Sequence, residues 1–342
     1  MKDVTTGVQK VTEVDGRFAL MRDWLSTQLN HDFRVTVLAK DASYRCYYRV
    51  SWDNESLVVM DAPPEKEPLD AFIAINRALQ AARVKVPDIL AKNTQQGFLL
   101  LSDFGNDLYF KQLTSDNADH LYGLAFDSIL AIQAHTCDGN YALPRFSAER
   151  LHTELQWFVE WYVNQYCRVT VTAAEQQALN ASFDLIVEQA LSQPQVLVHK
   201  DFHSRNLFVL PNDQVGVIDF QDALTGPITY DLMSLLYDHY IAWPRDKIVE
   251  WVGVFYQKLL ATGRTDCTDF AEFLRWHDWL VLQRVMKNCG NFVRLNVQQG
   301  KSGYLQDIPR IYQYLLTITA AYAELKPLNE LLQRWRPKGE KA

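Results

Sequence analysis

The sequence has no run of about 18 apolar residues, which excludes a membrane-spanning helix. It has only five cysteines, Cys46, Cys137, Cys167, Cys267 and Cys289, and no C-x-x-C pair. An odd, scattered set implies reduced, buried thiols rather than a disulfide framework. The start, Met1 to Thr6, lacks the apolar stretch of a secretory signal, so a cytoplasmic protein is expected. Positive charge is also scarce: 34 Lys and Arg stand against 41 Asp and Glu, a net charge of -7. Nucleic acid binding demands clustered cations, so it is excluded as the main role, although one basic pocket for a single nucleotide is still allowed. There is no internal repeat, no low-complexity segment and no long run of one charge sign. What is present, 48% apolar residues in a chain of 342, suits two lobes packed around a cleft. A frayed tail is expected from Arg334 to Lys341.

The hydrophobic period changes along the chain. Phe18, Met21, Leu25 and Leu29 follow helical spacing, so Gly16 to Asn30 reads as an amphipathic helix. Strand-like runs follow at Phe33 to Ala39, Arg45 to Ser51 and Ser56 to Asp61, then a helix from Leu69 to Arg83. Short strands near Ile89 and at Gly97 to Leu101 complete a sheet of about five antiparallel strands with one inserted helix. After Ser102 helical periodicity dominates, at 116–137, 145–166 and 173–192 and again at 230–242, 245–262, 268–296 and 305–334. One strand-rich island, 195–222, interrupts it. The expected class is α+β: a small antiparallel-sheet lobe over residues 1–102 and a larger, mostly helical lobe over 103–342.

The island concentrates the polar chemistry. It runs from Val196 through His199-Lys200-Asp201-Phe202-His203-Ser204-Arg205-Asn206 to Leu207-Phe208-Val209-Leu210, then Pro211-Asn212-Asp213-Gln214, then Val215 to Asp219-Phe220. A four-residue polar turn between two apolar runs predicts a hairpin. If Leu210 pairs with Val215, Asn206 faces Asp219, and opposed residues lie roughly 5 Å apart. An amide oxygen and a carboxylate then converge, a small set of hard ligands suited to magnesium that keeps waters and phosphates in its shell. Asp201, five residues before Asn206, stays close enough to accept a proton from an attacking hydroxyl. A surface hairpin with ordinary turn residues would need only the Asp and Asn, not His199 before them and Ile218-Asp219-Phe220 after.

The D-x-x-x-x-N spacing, the apolar hairpin and I-D-F resemble the catalytic and metal-binding segments of protein-kinase-like enzymes. The fuller H-x-D-x-H-x-x-N form resembles the aminoglycoside phosphotransferase family. That resemblance implies a bilobal protein-kinase-like fold, ATP and Mg2+ as cofactors, Asp201 as catalytic base, and Asn206 and Asp219 as metal ligands. It also implies that His199 ties the catalytic loop by hydrogen bonds. His203 is a candidate for touching substrate or phosphate, and Asp231 for a helix cap or loop brace.

By the same resemblance, Ser43, Tyr44, Arg45 and Arg49 sit at the turn over the ATP phosphates, and Leu101, Ser102 and Asp103 form the interlobe hinge beside adenine. Two features depart from protein kinases. The turn lacks G-x-G-x-x-G, and the third strand, Leu57 to Asp61, lacks the lysine that holds the α- and β-phosphates. Arg45 or Arg49, on one strand face by the period of two, is the expected replacement.

Further phrases, Met60-Asp61-Ala62-Pro63-Pro64, Asp219-Phe220-Gln221-Asp222-Ala223, Tyr230-Asp231-Leu232 and Gly290-Asn291-Phe292, extend the resemblance over most of residues 40–295. Together they are similar to bacterial anomeric kinases of N-acetylmuramate and N-acetylglucosamine in peptidoglycan recycling. That likeness implies a small sugar substrate, with no nucleic acid or membrane partner, and a monomer is expected. Glu154, Trp157, Asp222, Arg284 and Lys287, with His203, are the candidate sugar contacts, the two cations suiting a lactyl carboxylate. A kinase for another small alcohol (an antibiotic, choline or a methylthio-sugar) and a nucleotide-binding pseudokinase are the other two readings.

Overall fold

The computed structural model describes residues 16–40, 44–136 and 141–337. Helix α1 (Gly16–Gln28) precedes strands β1 (Arg34–Lys40), β2 (Cys46–Trp52) and β3 (Glu55–Asp61). Helix α2 (Asp70–Ala81) comes before β4 (Ile89–Asn93) and β5 (Phe98–Ser102). The five strands form one antiparallel sheet in the order β1-β2-β3-β5-β4. Strand β5 is apolar from Phe98 to Leu101 because both its faces are covered. Phe98 and Leu100 join Met21, Trp24 and Leu25 of α1 in a small outer core, whereas Leu99 and Leu101 join Phe72, Ile75 and Leu79 of α2 in the main core. Gly97 leads into β5 at φ +79°, where a Cβ would lie 1.9 Å from the Ala62 carbonyl oxygen, so only glycine fits.

Helices α3 (Tyr109–Gln112), α4 (Ala118–Gln133), α5 (Ala148–Trp157) and α6 (Ala173–Ser192) follow, then strands β6 (Gln195–Val198), β7 (Leu207–Leu210), β8 (Gln214–Val217) and β9 (Leu224–Pro227). Helices α7 (Tyr230–Leu236), α8 (Arg245–Ala261), α9 (Phe270–Gln299), α10 (Ile308–Ala320) and α11 (Lys326–Arg334) complete the described chain. Side-chain caps set several ends. Helix α6 opens on a reciprocal capping box of Thr172 and Glu175. Helix α9 opens on Asp269 and closes on Gly300 at φ +67°. Long α9 is the axis of the helical lobe, packed against α5, α6, α7 and α10.

Four boundaries differ from the periodicity. The helix expected over 145–166 changes at Phe158 into a nine-residue π-helix, Phe158–Tyr166. At that junction α9 comes close: a Cβ on Gly290 would stand 2.4 Å from the Trp157 carbonyl. The helix expected over 230–242 stops at Leu236, because Asp238 turns away to bind Ser204. The helix expected over 305–334 is divided in two, with Pro327 in the first turn of α11. The tail is not frayed as far as Pro337: Trp335 is buried and its carbonyl accepts from the Tyr162 hydroxyl (2.9 Å).

Candidate active site

The island is two small sheets. Strands β6 and β9 pair from Gln195–Pro227 to Val198–Leu224, and β7 and β8 pair from Leu207–Val217 to Leu210–Gln214. The second pairing is one residue off the register expected from the sequence. Asn212 and Asp213 both adopt positive φ, +59° and +57°, which Asn and Asp tolerate. The turn therefore closes over three residues rather than four. Asn206 lies opposite Ile218, whose N–H donates to the Asn206 carbonyl (3.0 Å). Continued extended backbone would send the Asp219 side chain to the opposite face. Instead Asp219 takes φ +64°, and its carboxylate returns to Asn206, whose Nδ2 donates to Oδ2 at 3.2 Å. The expected convergence is present, made by a left-handed residue and not by register. Gln221 Nε2 donates to the other oxygen of Asp219 (2.6 Å), and its own amide oxygen is buried without a hydrogen-bond partner.

Asp201 stands beside this pair. Asn206 Nδ2 donates to its backbone carbonyl (2.9 Å), and Arg284 of α9 places Nη2 3.7 Å from its Oδ1. Arg284 also donates to the Lys200 carbonyl (3.0 Å). The Lys200 ammonium lies 4.0 Å from Asp201 Oδ2 and 3.8 Å from Asp222 Oδ2. Burial alone would raise the Asp201 carboxyl, but Arg284, Lys200 and Lys287 outweigh it and bring its pKa down to about 2. Asp201 is therefore ionised at neutral pH.

The loop carrying Asp201 is braced from behind. Asp231 accepts from the backbone N–H groups of His199 (2.8 Å) and Lys200 (2.9 Å). His199 Nε2 bonds the Ile218 carbonyl (2.9 Å), and Asp238 accepts from the Ser204 N–H (3.0 Å) and hydroxyl. Asp231 is thus a loop brace and not a helix cap. Burial lowers the pKa of His203 to about 3, so its ring is neutral, and it faces Tyr240 at 5.7 Å between centroids.

A cavity of about 550 Å³ opens between the sheet and the β7–β8 hairpin. Tyr47, Val58 and Leu101 of the sheet face Phe208 and Ile218, and Asn206 and Asp219 lie on the same lining. An apolar slot with hard oxygens beside it suits a planar base joined to phosphates. Leu101, Ser102 and Asp103 border it. Tyr44, Arg45 and Arg49 are not among its lining residues. Tyr44 is exposed, with the Lys66 ammonium 4.1 Å from its ring. Arg45 pairs with Glu67 (2.6 Å). Arg49 donates twice to Asp103 (2.6 and 3.0 Å) and also to Gly105 and Asn106, so it braces the hinge. Each arginine is thus paired with a carboxylate outside the lining of the slot. Ser43 lies outside the described residues.

The candidate acceptor contacts separate into two kinds. Glu154 is buried, accepting from Gln283 (2.9 Å) and Arg150 (3.3 Å), while Asp222 is exposed beside Lys200. Trp157 carries the Arg294 guanidinium 4.2 Å above its ring. Burial lowers the pKa of Lys287, against the pull of Glu154 and Asp201. The sequence reading gave no role to Lys200 or Asp238. Asp238 follows Asp231 by seven residues, two helical turns, which is the one signal that could have paired them.

The fold and this site define a protein-kinase-like phosphotransferase. The chain belongs to the phosphotransferase enzyme family, which it matches over residues 34–273. Among named relatives, an N-acetylmuramate/N-acetylglucosamine kinase from Pseudomonas putida is 37% identical, covering 94% of this chain and 97% of its own. A kinase of the same name from Neisseria meningitidis is 35% identical, covering 91% of this chain and 94% of its own. Solved structures share the fold at low identity. An ADP-bound aminoglycoside phosphotransferase superposes with a TM-score of 0.59 at 15% identity, covering 86% of this chain and 97% of its own. The choline kinase LicA from Streptococcus pneumoniae gives 0.57 at 12%, covering 90% and 100%. No described helix is long and apolar enough to cross a membrane.

Proposed function

We propose that the protein transfers the γ-phosphoryl group of ATP to the anomeric hydroxyl of N-acetylmuramate or N-acetylglucosamine. The observation that carries the reaction class is the convergence of Asp201, Asn206 and Asp219 beside an apolar slot. The acceptor rests on the two relatives named for these sugars. The residues present fit magnesium: Asp219 offers carboxylate oxygen, Asn206 an amide oxygen after a turn of its amide, and Gln221 a buried oxygen lacking a partner. A bound magnesium would neutralise phosphate charge.

The acceptor hydroxyl sits against Asp201, which orients it. A carboxylate with pKa about 2 is too weak a base to deprotonate a free sugar hydroxyl. It receives the proton late, once bonding to phosphorus has made that oxygen acidic. Arg284 and Lys287 lie close enough to Asp201 to perturb it, and they suit an acceptor bearing a carboxylate. The same cations oppose choline and aminoglycosides, which are cationic. The lobes are taken to part between residues 102 and 103, with a monomer as the working unit.

The test is ADP release with ATP and magnesium over N-acetylmuramate, N-acetylglucosamine, glucose, choline and kanamycin. Turnover on the two N-acetyl sugars is expected. Turnover on another acceptor would discard the acceptor and keep the reaction class. Nucleotide binding with no turnover on any member would favour the pseudokinase.

A further inference from the structure

Seven non-glycine residues in the described chain have positive φ. Five close turns or follow helix ends: Asp53, Arg83, Arg168, Asn212 and Asp213. The other two are Lys200, at +80°, and Asp219. A long side chain in this region is unfavourable, and such strain persists where the surroundings over-determine it. Lys200 is held in just that way. Its N–H is bound by Asp231 and its carbonyl by Arg284. The strained backbone delivers the ammonium to a point between Asp201 and Asp222, 4.0 and 3.8 Å from their oxygens. Both separations exceed a hydrogen bond, so the ammonium sits between two anions and is closed on neither.

Among the described residues, the sheet side supplies no such charge. On β3 the residue that follows Val58 on the cleft-facing side is Met60, wholly buried, and Phe72 of α2 packs on Phe220 (4.7 Å between centroids). The contact that in a kinase lobe joins a lysine to a helix carboxylate is apolar here. Arg45 and Arg49 are engaged with Glu67 and Asp103. Lys111 and Arg205, the cations among the described lining residues, belong to the helical side of the cleft.

We propose that Lys200 is a catalytic residue whose ammonium binds the phosphoryl group in transit and supplies the positive charge that the third strand lacks. This rests on the reading of the site as an ATP phosphotransferase. The acceptor oxygen bonds to the γ-phosphorus as the bond from that phosphorus to the β–γ bridging oxygen breaks. The bridging oxygen leaves with the electron pair as ADP, and the hydroxyl proton passes to Asp201. Lys200 loses no proton; it neutralises the outer oxygens of the moving group. Its attraction grows as those oxygens pull away from ADP, so it acts on turnover more than on nucleotide affinity.

The experiment compares wild type, Lys200→Gly and Lys200→Arg. Glycine suits φ +80°, so Lys200→Gly is expected to melt no lower than wild type. Its kcat is expected to fall by about 10²–10³, the scale of one lost charge-stabilising donor. Its affinity for ADP with magnesium, read by calorimetry, should stay within about threefold of wild type, since ADP lacks the transferred group. Lys200→Arg should recover at least about a tenth of the lost turnover, because charge is restored. Retained kcat in the glycine variant would overturn the proposal, as would a raised KM for the sugar alone, or loss of melting temperature and ADP affinity together. A wild type with no turnover on any acceptor would instead sink the phosphotransferase reading itself.

Discussion

The two walls of the cleft handle positive charge in opposite ways. On the sheet side, among the described residues, Arg17 pairs with Asp61, Arg45 with Glu67 and Arg49 with Asp103. Across the cleft Lys200, Arg284 and Lys287 all act on Asp201 and bring its pKa to about 2, while Lys200 is shared with Asp222. Paired charges fix a shape and leave little field outside the pair. A cation shared between two carboxylates and closed on neither, as Lys200 is, stays available to phosphoryl charge. The sheet wall is thus an apolar cover flanked by ion pairs, and the charged groups proposed to act in the reaction lie in segment 199–222 and helix α9.

Removing the anion on which the second wall converges is the harshest test of this contrast. Asp201→Ala is expected to lower turnover by about 10²–10⁴-fold. Affinity for ADP, set mostly by the slot, should be nearly unchanged in calorimetry. A matching loss of ADP affinity would show that the walls do not act separately. Asp219→Ala comes next, with turnover lower by about a hundredfold or more and a higher magnesium concentration needed for half-maximal rate. An unchanged magnesium dependence would remove Asp219 from the metal site.

The cations themselves are read through pH. The Asp201 carboxyl is held below its ordinary value of about 3.9, so it favours the folded state in its ionised form. The stability it contributes is present above that ordinary value and is lost as pH falls through about 2. Arg284→Met should therefore move the acid limb of kcat/KM upward by about one to two pH units. The wild type should stay flat over the same range. A limb that does not move would mean that Arg284 braces the Lys200 carbonyl and contributes little field.

Much of this was legible in the sequence, and the gaps have physical reasons. The spacing of Asp201, Asn206 and Asp219 pointed to three side chains that the fold brings together, and the unbroken apolar run of β5 marked a strand covered on both faces. The convergence of Asn206 with Asp219 was reached from a register one residue off. Backbone at positive φ supplied the correction, and although Asp tolerates that conformation, its presence alone does not specify it. Lys200 escaped for the same reason, since its meaning lies in a left-handed backbone that a Lys does not advertise. Arg49 and Asp103 are 54 residues apart, and only the folded sheet shows that they neutralise each other. The π-helix after Trp157 is likewise invisible to a period of 3.6, because its apolar residues still fall on one side.

The smallest effects test the sheet wall. Arg49→Ala leaves Asp103 accepting from the Ser56 hydroxyl (2.8 Å) and the Gly105 N–H (2.8 Å), so the carboxylate is not orphaned. The expected cost is about 1–3 kcal/mol in urea denaturation, with a modest rise in KM for ATP as the hinge loosens. Arg45→Ala should do less. Its partner Glu67 keeps the Tyr44 N–H at 3.3 Å, and the two side chains are 13% and 15% exposed. Stability should change by about 1 kcal/mol and KM for ATP by less than about twofold. A tenfold rise in KM with unchanged stability would mean that Arg45 leaves Glu67 for the phosphates when nucleotide binds. The sheet wall would then carry charge in the complex, and the asymmetry between the walls would belong only to the empty cleft.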